Sequence, residues 1–134
     1  MIIAIPQLNY KAGDIQGNSE KIISAIQKAQ NQKAELILFP ELAVSGALPQ
    51  DLLEREEFVN ACRMAVEKIA ATCTQIAAIV GAPNLDSENG IMYNSAYFIQ
   101  HGEVVDGVHK NILSDYDIFS ESRYFIAGED NTPI

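Results

Sequence analysis

The first forty residues contain two short apolar runs separated by an amphipathic segment, and this order limits the fold more than any other feature. Residues 2–8 and 34–39 are rich in branched aliphatic side chains, as buried strands are. Between them, apolar residues recur at helical spacing over 22–29, and Asn18 or Ser19 is placed to cap this helix. A strand, a helix and a second strand imply parallel pairing, so the sequence predicts an α/β fold.

The rest of the pattern predicts one long helix and three more strands. Residues 51–72 are amphipathic, with apolar residues on one helical face. Three further segments have strand character: 75–80, 91–100 and 103–109. An Asn-Gly pair at 89–90 predicts a hairpin before the fourth strand. No sustained period follows, and 111–131 is predicted to be either a structured loop near a functional surface or a disordered tail.

The two cysteines are predicted to be core residues. Cys62 and Cys73 share a 3-4-3-4 spacing with Val59, Val66 and Ile69, which places all five on one face of a helix. Buried cysteine behaves as a small apolar residue. On one helix the two thiols would lie roughly 16 Å apart along the axis, which is too far for a disulfide.

Composition excludes several classes of partner. A length of 134 residues, 48% of them apolar and 20% charged, is that of one ordinary globular domain. A formal charge of −9 repels phosphate backbones, which argues against nucleic-acid binding. No apolar run approaches the ~20 residues of a membrane span. No basic residue precedes the apolar start of the chain, which therefore predicts a strand rather than a signal peptide, and a cytoplasmic location.

Two charged residues stand where strands of the predicted sheet end. Glu41 follows the second strand and Pro40, and Lys110 follows the fifth strand. Open α/β sheets gather their ligands at such strand ends. Each residue taken alone is more often a solvated charge, so position by itself leaves both interpretations open.

Four sequence blocks, in this order along the chain, resemble motifs of the nitrilase superfamily. They are LFPELA at 38–43, GAP at 81–83, YNSA at 93–96 with the later Gly102, and HKNIL at 109–113. The chain is therefore similar to carbon-nitrogen hydrolases over nearly its whole length. This resemblance implies a nitrilase-type α-β-β-α sandwich, of which residues 1–134 would form only the N-terminal part, an incomplete domain.

Two further stretches resemble the glutaminase domain of glutamine-dependent NAD synthetases. These are PQDLL at 49–53 and YDIFSESRYFIAG at 116–128. The resemblance implies that the parent hydrolyses glutamine and passes ammonia to a synthetase domain. That domain, absent from 1–134, would use ATP and Mg²⁺ to aminate nicotinic acid adenine dinucleotide. No cofactor or metal is expected in the present chain.

The same resemblance implies roles for five residues. Glu41 would be the general base and Lys110 the ammonium that stabilises the oxyanion. Glu121 would orient Lys110 from behind, and Tyr116 and Phe119 would line the glutamine pocket. As alternatives, Phe119 and Tyr124 are packing residues, and Glu121 forms a local ion pair with Arg123.

The family's nucleophilic cysteine has no counterpart among these residues, and we expect it beyond Ile134. The chain alone is therefore predicted to be inactive. Because half of a sandwich exposes an apolar sheet, it is also predicted either to form a homo-oligomer or to have lost the missing residues by cleavage after folding. Two departures from the pattern are Ala47, where a tyrosine is usual, and Ser120, where an aspartate is usual. Alternative functions are a stand-alone amidase or carbamoylase of the superfamily, and a non-catalytic assembly module.

Overall fold

A computed structural model describes residues 1–130, which form one five-stranded mixed sheet with two helices. Strand order in the sheet follows chain order, with the first three strands parallel and the last two added antiparallel. The strands are β1 (Ile3–Ala4), β2 (Leu36–Leu38), β3 (Ala77–Asp86), β4 (Ile91–Gln100) and β5 (Glu103–His109). The helices are α1 (Ile15–Asn31) and α2 (Glu56–Ala70), with short 3₁₀ helices at Gln50–Glu54 and Glu121–Arg123. The prediction of an α/β fold is confirmed.

Helix α1 begins earlier than the sequence predicted. Asp14 is its N-cap, and its carboxylate accepts the Gly17 N–H at 3.0 Å. The prediction that Asn18 or Ser19 caps this helix is wrong, because both lie inside it and are buried. The Asn18 amide instead donates to the Lys11 carbonyl at 2.8 Å, and so ties the loop before α1 to the helix.

The helix predicted over 51–72 is interrupted. Residues 50–54 form a 3₁₀ helix, and Arg55 has extended backbone angles (φ −96°, ψ 113°) before α2 begins at Glu56. Leu53 is buried in a small cluster with Leu42 and Phe125, away from the main core. This separate burial turns the 3₁₀ segment out of line with α2, which an amphipathic pattern alone does not reveal.

The first and third strands end at residues other than those predicted. The first strand, predicted over 2–8, ends at Ala4, and Pro6 just beyond it lacks the N–H that a longer ladder would need. The strand predicted over 75–80 runs instead to Asp86, because β4 pairs with it continuously. Pro83 is tolerated within β3 because β2 pairs only as far as Ile79. The predictions for 91–100, 103–109 and the hairpin at 89–90 are confirmed.

The main core lies between the two helices and one face of the sheet. Its fully buried side chains come from both layers: Ile22, Ile26, Ile37, Cys62, Ile69, Val80 and Ile99. Both cysteines are wholly buried in this core, as predicted, although Cys73 follows the end of α2 rather than lying on it.

The opposite face of the sheet is apolar and only partly covered. Its residues include Ile3, which is 46% exposed, and the half-buried Leu38, Ile79 and Phe98. The predicted homo-oligomer would cover this face and stays a prediction. None of the helices within residues 1–130 is long and apolar enough to cross a membrane.

The segment after β5 is a structured loop. The Ile126 N–H donates to the Met92 carbonyl at 2.9 Å, and Phe125 is buried. Its predicted end, Asn131, lies outside the described residues, as do 132–134.

We expect neither cysteine to react while the protein is folded. Burial raises the pKa of the Cys62 thiol to about 12 and that of Cys73 to about 11. At pH 8 the thiolate fractions would be roughly 1 in 10⁴ and 1 in 10³. A colorimetric disulfide reagent should therefore label two thiols per chain in urea and essentially none in buffer. Ser87→Cys, in the exposed hairpin turn, is the positive control; rapid labelling of the native wild type would contradict the buried placement.

Candidate active site

Glu41 lies in the loop that leaves β2 at the carboxyl end of the parallel strands. The Phe39 N–H donates to the Ile79 carbonyl and the Val44 N–H to the Gly81 carbonyl, so the loop stays beside β3. A Cβ atom at Gly81 would lie 2.6 Å from the Pro40 oxygen. Glycine is therefore required at this position for β3 to approach the loop so closely.

Lys110 directly follows β5 and is held by main-chain hydrogen bonds on both sides. Its N–H donates to the Asn94 carbonyl at 2.8 Å, and its carbonyl accepts the Gly128 N–H at 2.9 Å. A Cβ at Gly128 would lie 2.7 Å from the His109 Cβ, so glycine allows the returning loop to pack on the strand end.

The structure brings Glu41, Lys110 and Glu121 together. The Lys110 Nζ atom lies 2.8 Å from Glu41 Oε1 and 2.8 Å from Glu121 Oε2. The exposed fraction of the side chain falls from 52% for Glu41 to 27% for Lys110 and 11% for Glu121. Glu41 thus lies at the open side of the cluster and Glu121 at its closed side.

Glu121 is fixed by the loop that carries it. Its Oε2 atom accepts the Ser114 N–H at 2.6 Å as well as the Lys110 ammonium. The Ser114 hydroxyl lies 3.4 Å from Lys110 Nζ. The 3₁₀ helix at Glu121–Arg123 is anchored in turn by Tyr124, whose hydroxyl bonds the Asp51 carboxylate.

Asn94 completes the cluster, and the sequence analysis did not assign it a role. Its side-chain nitrogen lies 2.5 Å from Glu41 Oε1 and 3.1 Å from Glu121 Oε1. Only 3% of Asn94 is exposed. The available signal was a pair of polar residues, Asn94 and Ser95, in the middle of an otherwise apolar strand. Ser114 was also missed, and no pattern around it marks a donor.

Lys110 and Glu121 each favour the ionised form of the other. Burial alone would lower the pKa of Lys110, but hydrogen bonds from its ammonium to Glu121 and Glu41 raise it above its ordinary value. Burial would likewise raise the pKa of Glu121, but the hydrogen bonds and charge of Lys110, with the Ser114 N–H, lower it. Lys110 therefore remains a cation between two carboxylates at neutral pH.

An open depression of about 330 Å³ lies beside this cluster. Glu41, Lys110 and Asn94 supply its polar wall, and Phe39, Ile79 and Val108 are among its apolar residues. Such a surface suits a small polar group attached to an aliphatic chain. Across residues 1–130, no group of three or more His, Cys, Asp or Glu side chains is placed to hold a metal ion.

Tyr116 and Phe119 lie together, but they do not line this depression. Their ring centroids are 5.4 Å apart, and Tyr116 is 66% exposed. Their predicted contact with glutamine stays a prediction.

The family model of carbon-nitrogen hydrolases matches residues 2–134. The chain belongs to this family. The predicted nitrilase-type fold is confirmed by solved structures. A glutamine-dependent NAD⁺ synthetase from Acinetobacter baumannii superposes with a TM-score of 0.88 at 34% identity, covering 96% of this chain and 24% of that one. A nitrilase-superfamily amidase from Nesterenkonia AN1 has a TM-score of 0.81 at 29% identity, covering 98% of this chain and 50% of that one.

Curated relatives agree with the more specific resemblance. The chain is 40% identical over 124 residues to the glutamine-dependent NAD⁺ synthetase of Xylella fastidiosa, which covers 92% of this chain. It is 36% identical over 130 residues to that of Aquifex aeolicus. In both cases the chain spans 22% of the relative's length.

Glu121→Gln should make stability depend on pH in a specific way. Because the folded pKa of Glu121 lies below its ordinary value of 4.5, its ion pair stabilises the fold above that pH. This contribution disappears as pH falls through the folded pKa. Urea unfolding should therefore show a lower free energy of unfolding for Glu121→Gln at pH 7, and a smaller difference at a pH below 4.5. The exposed Glu103→Gln is the matched control; a constant difference at both pH values would contradict the assignment.

Proposed function

We propose that this chain supplies the base and the oxyanion-stabilising cation of a glutamine-hydrolysing NAD synthetase. The observation that carries the proposal is the placement of Lys110 between Glu41 and Glu121, at 2.8 Å from each, beside an open depression. The curated relatives named above support glutamine as the substrate, since each is a glutamine-dependent NAD⁺ synthetase.

The chemistry follows from the weakness of an amide as an electrophile. A thiolate attacks the side-chain carbonyl carbon of glutamine, and a thioester and ammonia result once the C–N bond breaks. Glu41, on the open side of the cluster, takes the thiol proton and delivers it to the departing ammonia. Lys110 donates to the oxygen that becomes negative in the tetrahedral intermediate. Water activated by Glu41 then hydrolyses the thioester to glutamate.

The nucleophile in this proposal is a cysteine outside residues 1–134. Cys62 and Cys73 are unsuitable, because both are wholly buried in the helical core and their thiol pKa values are raised. The proposal therefore includes a longer parent protein in which this chain is the front of the glutaminase domain, and it holds that 1–134 alone releases no ammonia.

The ammonia would be consumed by a synthetase domain of the same parent, which aminates nicotinic acid adenine dinucleotide at the expense of ATP. We assign no residue of this chain to ATP or Mg²⁺. A cytoplasmic location and a homo-oligomeric state are part of the same proposal, the latter motivated by the partly exposed apolar face of the sheet.

A second candidate is a stand-alone amidase of the same family. The likeness to the Nesterenkonia AN1 amidase favours it, because the superposition covers 98% of this chain and 50% of the amidase chain. The two candidates share Glu41 and Lys110 and differ in the fate of ammonia. A non-catalytic assembly module would use neither residue.

Glu41→Gln and Lys110→Met in the full-length protein should separate these functions. We expect each to lower glutamine-dependent NAD formation by about 10²–10³-fold, since each removes a group required for the acyl transfer. NAD formation from added ammonium should remain, because that reaction bypasses the glutaminase site. Lys28→Met, on the exposed face of α1, is the control.

Full activity of both variants with glutamine would overturn the assignment of the site. Release of ammonia from glutamine or another amide without NAD formation would favour the stand-alone amidase. No amide hydrolysis by the full-length wild type would favour the assembly module.

Tyr116→Ala tests the predicted glutamine pocket. If the ring contacts glutamine after the site is complete, KM for glutamine should rise roughly tenfold while the ammonium-dependent rate stays constant. Ile118→Ala is the matched control, because Ile118 is 63% exposed in the same loop and the proposal gives it no role. An unchanged KM for Tyr116→Ala would remove this residue from the pocket.

A further inference from the structure

Asn94 contacts all three charged residues of the cluster, Glu41, Lys110 and Glu121. Its side-chain nitrogen bonds both carboxylates, Glu41 Oε1 at 2.5 Å and Glu121 Oε1 at 3.1 Å. Its main-chain carbonyl accepts the N–H of Lys110 at 2.8 Å. With 3% exposure, and with β3 and β5 paired on either side of β4, this residue has little freedom to move.

The two oxygens of Glu41 are used differently. Oε1 accepts hydrogen bonds from both Asn94 and Lys110. Oε2 accepts none from residues 1–130, although the side chain is 52% exposed and lines the depression. Two donors on one oxygen restrict the rotation of the carboxylate and leave the other oxygen without a donor from residues 1–130.

Glu121 shows the complementary arrangement. Its Oε1 accepts from Asn94, whereas its Oε2 accepts from Lys110 and from the Ser114 N–H. Both oxygens of this carboxylate are therefore occupied by protein donors. Asn94 is a neutral group that bonds to both anions.

We propose that Asn94 is a positioning residue that fixes Glu41 with Oε2 towards the substrate and bonds the second carboxylate, Glu121, from the same amide nitrogen. The proposal rests on the proposed function, because Oε2 is the proton acceptor only if Glu41 is the general base. Asn94 itself touches no reacting atom; it acts through Glu41.

The chemistry of the side chain explains why asparagine suits this place. A primary amide offers two N–H donors without a charge, so it can serve two carboxylates at once. Leucine has a similar size but no donor, and would leave the Oε1 atoms with fewer partners in a partly buried site. Aspartate has the same shape but would bring a third negative charge beside two others.

The titratable groups that face Asn94 are Glu41 from the loop after β2, Lys110 from the end of β5 and Glu121 from the 3₁₀ helix. His109, also at the end of β5, is engaged elsewhere. Its Nδ1 atom lies 2.7 Å from the Ser95 hydroxyl, and its ring stacks on Tyr93 with a centroid distance of 4.1 Å. His109 therefore takes no part in the hydrogen bonds that join Asn94 to these three residues.

The test compares Asn94→Asp and Asn94→Leu in the full-length protein. We expect kcat for glutamine hydrolysis to fall about 10²-fold in both, with a smaller change in KM, because the main effect is the lost orientation of the general base. The acid limb of the pH–rate profile should move upward by about one pH unit in Asn94→Asp and by less in Asn94→Leu, because only the former adds a negative charge. Ammonium-dependent NAD formation should persist in both.

Asn18→Asp is the matched control. Asn18 is also fully buried, but its amide donates to the main-chain carbonyls of Lys11 and Val44 rather than to carboxylates. It should lower the thermal midpoint without moving the acid limb. If the Asn94 variants behave like this control, losing only folded protein while kcat per active site and the acid limb stay unchanged, Asn94 is merely structural and the proposal is overturned.

Crystal structures of the full-length wild type and Asn94→Leu give a readout that does not depend on activity. The wild type should keep Glu41 Oε1 bonded to both Asn94 and Lys110, and in the variant the Glu41 carboxylate should rotate or adopt alternate conformers. An unmoved carboxylate in Asn94→Leu would overturn the inference. Absence of glutamine hydrolysis in the wild type, with this rotation observed, would instead reject the proposed function and keep the positioning effect.

Discussion

The candidate site depends on one ammonium shared by two carboxylates. Lys110 lies 2.8 Å from both Glu41 and Glu121, and without it two acidic groups would face each other in a partly buried space. Like charges at such separation resist joint ionisation. The cation therefore makes the arrangement possible, and the two carboxylates differ in exposure. Glu41 is open enough to reach a ligand, whereas Glu121 is bonded to Lys110, Ser114 and Asn94.

The sheet determines where this ammonium stands. Pairing of β4 with β5 continues to Ser95 and His109, so Lys110 emerges beside Asn94. Pairing of β3 with β4 places Gly81 opposite Ala96, and Gly81 lets the loop of Glu41 approach. The site is thus a product of strand register: a slip of one residue in either antiparallel pair would send the side chains to the opposite face.

The elements and site residues that could be predicted from the sequence are those that depend on local patterns or on family motifs. Glu41, Lys110 and Glu121 were found through motif order, and β4 and β5 through alternation and turn residues. The break at Arg55 was not predictable, since it depends on Leu53 joining a separate cluster with Phe125. Asn94 was missed for a related reason: its role arises only when loops distant in sequence converge on one strand.

Distance along the chain has a consequence for biosynthesis. Glu41 and Lys110 are 69 residues apart, and Glu121 follows 11 residues after the lysine. A ribosome therefore completes the entire parallel part of the sheet while the glutamate has no partner and remains hydrated. Closing so long a loop costs entropy that only the finished β4–β5 hairpin can offset. The charged cluster can therefore form only after Glu121 has been synthesised, and nascent chains that stop before the hairpin lack it.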